Sequence, residues 1–146
     1  MKMRSVKSVK TENYGILVVG HGSSMPYNRE FIEKVGSMLS ESMPGAIVKV
    51  GFMCKNSPTV DEALDSFSGS GVDGIVVLPM FLEKGVHVLE DIPGILGLEG
   101  GRKNGTYNGM KVIYADQLGA DELLVRLAGK RISQACMPYG LTIGTS

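Results

Sequence analysis

Gly15-Ile16-Leu17-Val18-Val19-Gly20-His21-Gly22-Ser23-Ser24 sets a continuous apolar run directly before a glycine-flanked histidine. The run does not alternate polar with apolar residues, so it reads as a strand buried on both faces, the kind found in parallel sheets covered by helices. His21 then falls where that strand ends. Ligands of open α/β sheets bind in the crevice beyond the carboxyl ends of the strands, so this one stretch indicates both a fold class and a place for chemistry.

Working outward, Pro26 suits a first helical turn, and Phe31, Ile32, Val35, Met38 and Leu39 recur at helical spacing up to the stop at Met43-Pro44-Gly45. Residues 46–53, with Ile47, Val48, Val50 and Phe52, predict a second strand, and 54–57 its exit loop. Val60, Ala63, Leu64 and Phe67 mark another helix, ended by Ser68-Gly69-Ser70-Gly71. Residues 74–80 predict a third strand and 81–85 a loop; 86–92 start a short helix that Pro93-Gly94 interrupts or re-aims. The stretch 99–109, with Gly100, Gly101, Gly105 and Gly109, reads as a mobile surface loop. A fourth strand follows at 110–115. The last helix, 120–137, has a core face of Leu123, Leu124, Leu127, Ala128, Ile132 and Ala135. The expected fold is α/β, with a four-stranded, mainly parallel sheet, helices on both faces and right-handed crossovers. It spans 14–137, between a flexible basic arm at 1–13 and a frayed tail at 138–146.

At 146 residues the chain fits one domain, long enough for a core but short for a two-lobed enzyme closing around a large substrate. A large ligand therefore points to a second subunit. Hydrophobic residues at 43% and charged residues at 21% are those of a soluble globular protein rather than a disordered chain. A formal net charge of zero gives no general attraction to nucleic acid, and no apolar run approaches the roughly 20 residues that span a bilayer. The basic start, with Lys2, Arg4, Lys7 and Lys10, lacks the apolar middle of a signal peptide. Cys54 and Cys136 are far apart and show no CxxC spacing, so a reducing cytoplasm is the default expectation.

The glycines around His21 do not form a phosphate-binding motif, because neither GxGxxG nor GxxxxGK[ST] is present. A GxSxG nucleophile elbow is absent too, which leaves Ser23 and Ser24 as helix-capping candidates rather than nucleophiles. The other histidine of the chain, His87, follows Ile75-Val76-Val77-Leu78-Pro79 across a short loop. Two imidazoles meeting at one sheet edge can bind a divalent transition metal and leave coordination positions open. Glu90 and Asp91, three and four residues beyond His87, are placed on a helix to orient an imidazole or accept protons, or else form a solvated face. Cys54 is either a soft metal ligand or a small packed apolar residue. Lys84, Arg102 and Lys103 either meet an anionic ligand or serve solubility.

Three segments carry a family resemblance: Gly15 through Ser23, Pro58-Thr59-Val60-Asp61-Glu62-Ala63, and Pro79-Met80-Phe81-Leu82 followed by Gly85-Val86-His87-Val88 and Asp91-Ile92-Pro93. With them the chain resembles the short-form sirohydrochlorin cobalt and nickel chelatases, over roughly 15–137. The resemblance implies ATP-independent insertion of Ni²⁺ or Co²⁺ into sirohydrochlorin with release of two protons, on a path to cobalamin or to the nickel tetrapyrrole of methanogens. It implies a homodimer, no tightly bound cofactor, and the metal as substrate. The family's metal-binding histidines fall on His21 and His87. Imidazoles released from the metal, or Glu90 through water, are expected to take the protons, and Gly20, Gly22, Ser23, Ser24, Cys54, Gly85 and Val86 are expected against the substrate. Many members carry glutamate where this chain has Cys54. Gly94-Ile95-Leu96 and Leu118-Gly119-Ala120-Asp121-Glu122-Leu123 are most similar to methanogen nickel chelatases. The rival readings are a non-catalytic metal or tetrapyrrole carrier and a metal-dependent hydrolase.

Overall fold

A computed structural model describes residues 13–144, so the basic arm expected at the N-terminus lies almost wholly outside the described residues. β1 (Tyr14–Gly20) pairs in parallel with β2 (Val48–Phe52) on one side and β3 (Gly74–Pro79) on the other. β5 (Met110–Tyr114) extends the sheet in parallel from β3, and β4 (Asn104–Tyr107) closes it antiparallel, in the order β2-β1-β3-β5-β4. Alternate residues of β1 serve opposite faces, as a strand requires. Leu17 and Val19 join a core cluster with Val60, Leu64, Ile92 and Leu96, while Val18 packs with Ile32 and Phe52. The helix α1 (Pro26–Ser42) therefore lies on one face, and α2 (Val60–Asp65) and α3 (Ile92–Leu96) on the other. Unbroken apolarity in β1 reflects this two-sided burial.

The sheet has five strands, not the expected four. Part of the stretch expected as a loop is an edge strand, turned back by Asn108-Gly109, both at positive φ (48° and 80°). Asn-Gly is a strong two-residue hairpin signal, because both positions need the left-handed region that glycine and asparagine tolerate. β4 is short, exposed and polar, so alternation of apolar residues could not reveal it.

A second difference concerns the C-terminal helix, α4 (Glu122–Cys136), which forms behind an Asp121 cap but buries none of its residues. Leu123 and Ile132 of its expected core face are 71% and 52% exposed. Periodicity tells which side of a helix is apolar, not what covers that side. On the α1 face of the sheet, the register Ile16↔Val76, Val18↔Leu78 and Val76↔Ile113 sets Val76, Leu78 and Ile113 in a band beyond α1. Ile113 is 43% exposed and its two neighbours are only half-buried.

Pro93 re-aims its helix in a defined way. Residues His87–Asp91 form a π-helical turn that runs directly into α3, and the Ile92 N–H bonds to the His87 carbonyl. The widened turn removes the clash that a proline ring makes with the carbonyl four residues earlier. Ile92 thus does not donate to Val88, and Pro93 has no N–H to offer. The Val88 carbonyl instead accepts from the buried Tyr114 hydroxyl at 2.7 Å. Burial, and then Asp116, push the Tyr114 pKa up to about 12. The proton is held more tightly in the folded state, so this contribution is complete below about pH 10 and is lost between about 10 and 12. Tyr114→Phe leaves the carbonyl unpaired and is expected to cost about 1–2 kcal/mol in urea unfolding.

Candidate functional site

His21 and His87 meet at the carboxyl edge of the sheet, although they lie 66 positions apart in the chain. Their ring centroids are 4.7 Å apart at an interplanar angle of 65°. Metal–nitrogen bonds of about 2.0–2.1 Å allow two imidazoles on one ion to have centroids up to roughly 6.5 Å apart, so this spacing suits a shared ion. His21 is exposed and His87 partly so, which keeps the pair open to a ligand from solvent.

Hydrogen bonds set the tautomers. The His21 Nδ1 lies 2.9 Å from the Gly22 carbonyl oxygen, which can only accept, so Nδ1 carries the proton. The His87 Nδ1 lies 2.7 Å from Asp91 Oδ2, and a carboxylate there likewise takes a proton from Nδ1. Both Nε2 lone pairs are thereby left for a metal, and the carboxylate behind the His87 imidazole fixes its ring orientation. Among the described residues no third His, Cys, Asp or Glu completes a ready-made coordination group. Two imidazoles alone leave most of an ion's coordination positions free for exchange.

The π-helical turn supplies this geometry, since His87 and Asp91 sit at its two ends. Of the two acids after His87, Asp91 makes the hydrogen bond; Glu90 is exposed beside it on the same turn. Asp91→Ala is expected to weaken Co²⁺ binding about 10- to 100-fold by isothermal titration, while Asp91→Asn, which can still accept from Nδ1, loses less.

The His21 turn is fixed by partners from α1 and from the loop after β2. The His21 carbonyl accepts from the Cys54 N–H at 3.1 Å, and the Gly20 carbonyl accepts from the Met53 N–H at 3.0 Å. Asn28 Oδ1 on α1 accepts from the Gly22 N–H at 2.8 Å, and Asn56 Oδ1 accepts from the Ser23 N–H at 2.9 Å. Asn28 and Asn56 were missed in the sequence because nothing local links them to His21. Gly20 and Gly22, expected against the substrate, are buried: a Cβ on Gly20 would strike Ile32, and one on Gly22 would overlap the Cys54 carbonyl. Their smallness lets α1 pack against Gly20 and the loop after β2 pass against Gly22.

The Cys54 thiol donates to the His21 carbonyl at 3.3 Å, a supporting contact. The Ser23 hydroxyl accepts from the Met25 N–H at 3.1 Å, and Met25, rather than either serine, is the N-cap of α1. Ser24, Gly85 and Val86 are exposed next to the loops that carry the histidines. Met25, Leu82, Val86 and Leu89, close in sequence to one or other histidine, are exposed as well.

The family model for CbiX matches residues 15–135. The chain belongs to the CbiX family. This CbiX-family chain is 43% identical over 128 residues to a sirohydrochlorin cobaltochelatase of Methanosarcina barkeri, covering 86% of the chain and 98% of that relative. It is 38% identical over 136 residues to a sirohydrochlorin cobaltochelatase of Methanopyrus kandleri, covering 82% and 95%. Among solved structures, a protein of Marinobacter aquaeolei VT8 described as a cobalamin-biosynthesis CbiX protein aligns with a TM-score of 0.68 at 25% identity, covering 86% of this chain and 98% of the other. The cobalt complex of the Bacillus subtilis sirohydrochlorin chelatase SirB shares the fold, with a TM-score of 0.69 at 24% identity. This chain spans 50% of that protein's length.

Proposed function

We propose that this CbiX-family protein inserts Co²⁺ or Ni²⁺ into sirohydrochlorin. The convergence of His21 and His87, each with Nε2 free, carries the reading. The curated relatives named as sirohydrochlorin cobaltochelatases support the substrate and favour cobalt over nickel. The imidazoles hold the incoming ion while pyrrole nitrogens replace its water. Two N–H protons leave the macrocycle as two metal–nitrogen bonds replace them, so charge balances. Imidazoles released from the metal, or the exposed Glu90 through water, take those protons.

Insertion needs no nucleotide on this reading. The backbone amides of the glycine turn that would cradle a phosphate are already bonded to Asn28 and Asn56. The test is the initial rate of the sirohydrochlorin absorbance change with Co²⁺ and Ni²⁺ in parallel, without ATP. Many turnovers per protein are expected; stoichiometric uptake with no turnover would make the protein a carrier instead.

A homodimer completes the reading. The exposed α4 face and the open band at Val76, Leu78 and Ile113 are two apolar surfaces of one chain, which a second copy can cover reciprocally. Leu127→Glu is expected to give a monomer by light scattering with its helix content kept. A wild-type monomer at micromolar concentration would rule the pairing out.

A further inference from the structure

A cavity of about 230 Å³ shares the π-helical turn of His87, and its lining includes Lys84, Arg102, Lys103, Asp116, Leu89 and Tyr114. The fold assembles it from four places. Lys84 comes from the loop after β3, Val88 and Leu89 from the π-helical turn of His87, and Tyr114 from the end of β5. Edge strand β4 runs antiparallel to β5, and the Tyr114 N–H bonds the Lys103 carbonyl at 2.8 Å, so Arg102 and Lys103 arrive at the same edge as the histidines.

The charges do not cancel there. Lys103 Nζ lies 2.8 Å from Asp116 and 4.7 Å from the Tyr114 ring centroid, and that ion pair, with a smaller contribution from the Lys84 charge, holds the Asp116 carboxyl below the usual range. Lys84 and Arg102 have no ion pair among the described residues, although the whole chain is formally neutral. A cavity of this volume is too small for a macrocycle but suits an acidic arm a few atoms long. Its wall begins one residue beyond His87, and consecutive Cα atoms are only about 3.8 Å apart.

We propose that this cavity is a carboxylate subsite, in which Arg102 and Lys84 bind an acidic side arm of the ligand whose centre rests at the histidines. The assignment builds on the tetrapyrrole reading, since sirohydrochlorin carries acetate and propionate arms on its rim. Arg102 offers a planar fork to such a carboxylate and Lys84 a point charge, while Lys103 stays with Asp116. The subsite thereby selects a polycarboxylate macrocycle over one with an apolar rim and fixes its rotation over the metal.

Quenching of sirohydrochlorin fluorescence measures binding without turnover. Arg102→Ala and Lys84→Ala are each expected to raise Kd about five- to tenfold, and the double variant more. The double variant should also show a shallower dependence of Kd on salt, with Co²⁺ affinity unchanged and Arg102→Lys only partly restoring binding. Equal Kd and equal salt dependence in wild type and the double variant would overturn the subsite. If wild type binds with these dependences but never inserts metal, the subsite stands and the insertion reading falls. If it inserts metal and the double variant binds equally well, the reverse holds.

Discussion

His21→Ala and His87→Ala are each expected to lower the rate of cobalt insertion by more than about a hundredfold. Removing an outer partner of a metal ligand already costs about 10- to 100-fold in affinity or activity, and these substitutions remove the ligand itself. Each leaves a lone imidazole facing the ion, with no third protein ligand among the described residues to compensate. The fold should be retained, because His21 is exposed and the His87 ring makes only the Asp91 hydrogen bond, an edge contact with His21 and a tilted one with Phe81. Surface substitutions of this kind usually change stability by no more than about 0.5 kcal/mol. Melting curves and insertion rates measured on the same preparations check both halves. Near-normal turnover in either variant would remove the assigned metal site.

Gly22→Ala is expected to be the most damaging small substitution, acting through the fold rather than the chemistry. The residue sits at φ +87°, a conformation that L side chains rarely adopt, and the added Cβ would overlap the Cys54 carbonyl oxygen. Relief requires the His21 loop and the β2 exit loop to part. That breaks the hydrogen bond from the Cys54 N–H to the His21 carbonyl and disturbs those to Asn28 and Asn56. A cost of about 3 kcal/mol or more follows, which lowers Tm by about 10 °C in a domain of this size. Because His21 rides on the displaced loop, residual folded protein should also bind Co²⁺ weakly. A Tm within a degree or two of wild type would show that the loops tolerate separation.

These two variants divide the candidate site into what the chain announces and what it hides. His21 and His87 were legible because each follows an apolar run at a strand exit and the chain holds no other histidine. The Asp91 role was legible only as one of two acids at helical spacing, and hydrogen bonding on the π-helical turn selected it over Glu90. Gly20 and Gly22 were conspicuous, but their packing was not legible, since nothing local reveals that Ile32 packs against Gly20 or that the Cys54 carbonyl passes against Gly22.

By itself the sequence determined the parallel α/β class, the first three strands, the helix starting at Pro26 and the two histidines at one sheet edge. Those properties depend on local periodicity and on chain direction, which a single strand already carries. Only the tertiary structure decided the fifth strand, the supports from Asn28, Asn56 and Tyr114, the exposure of α4, and the meeting of Lys84 with Arg102 beside His87. Each of these is a contact between segments far apart in the chain. Such contacts arise from packing and from carbonyls and amides seeking partners, which no local pattern encodes.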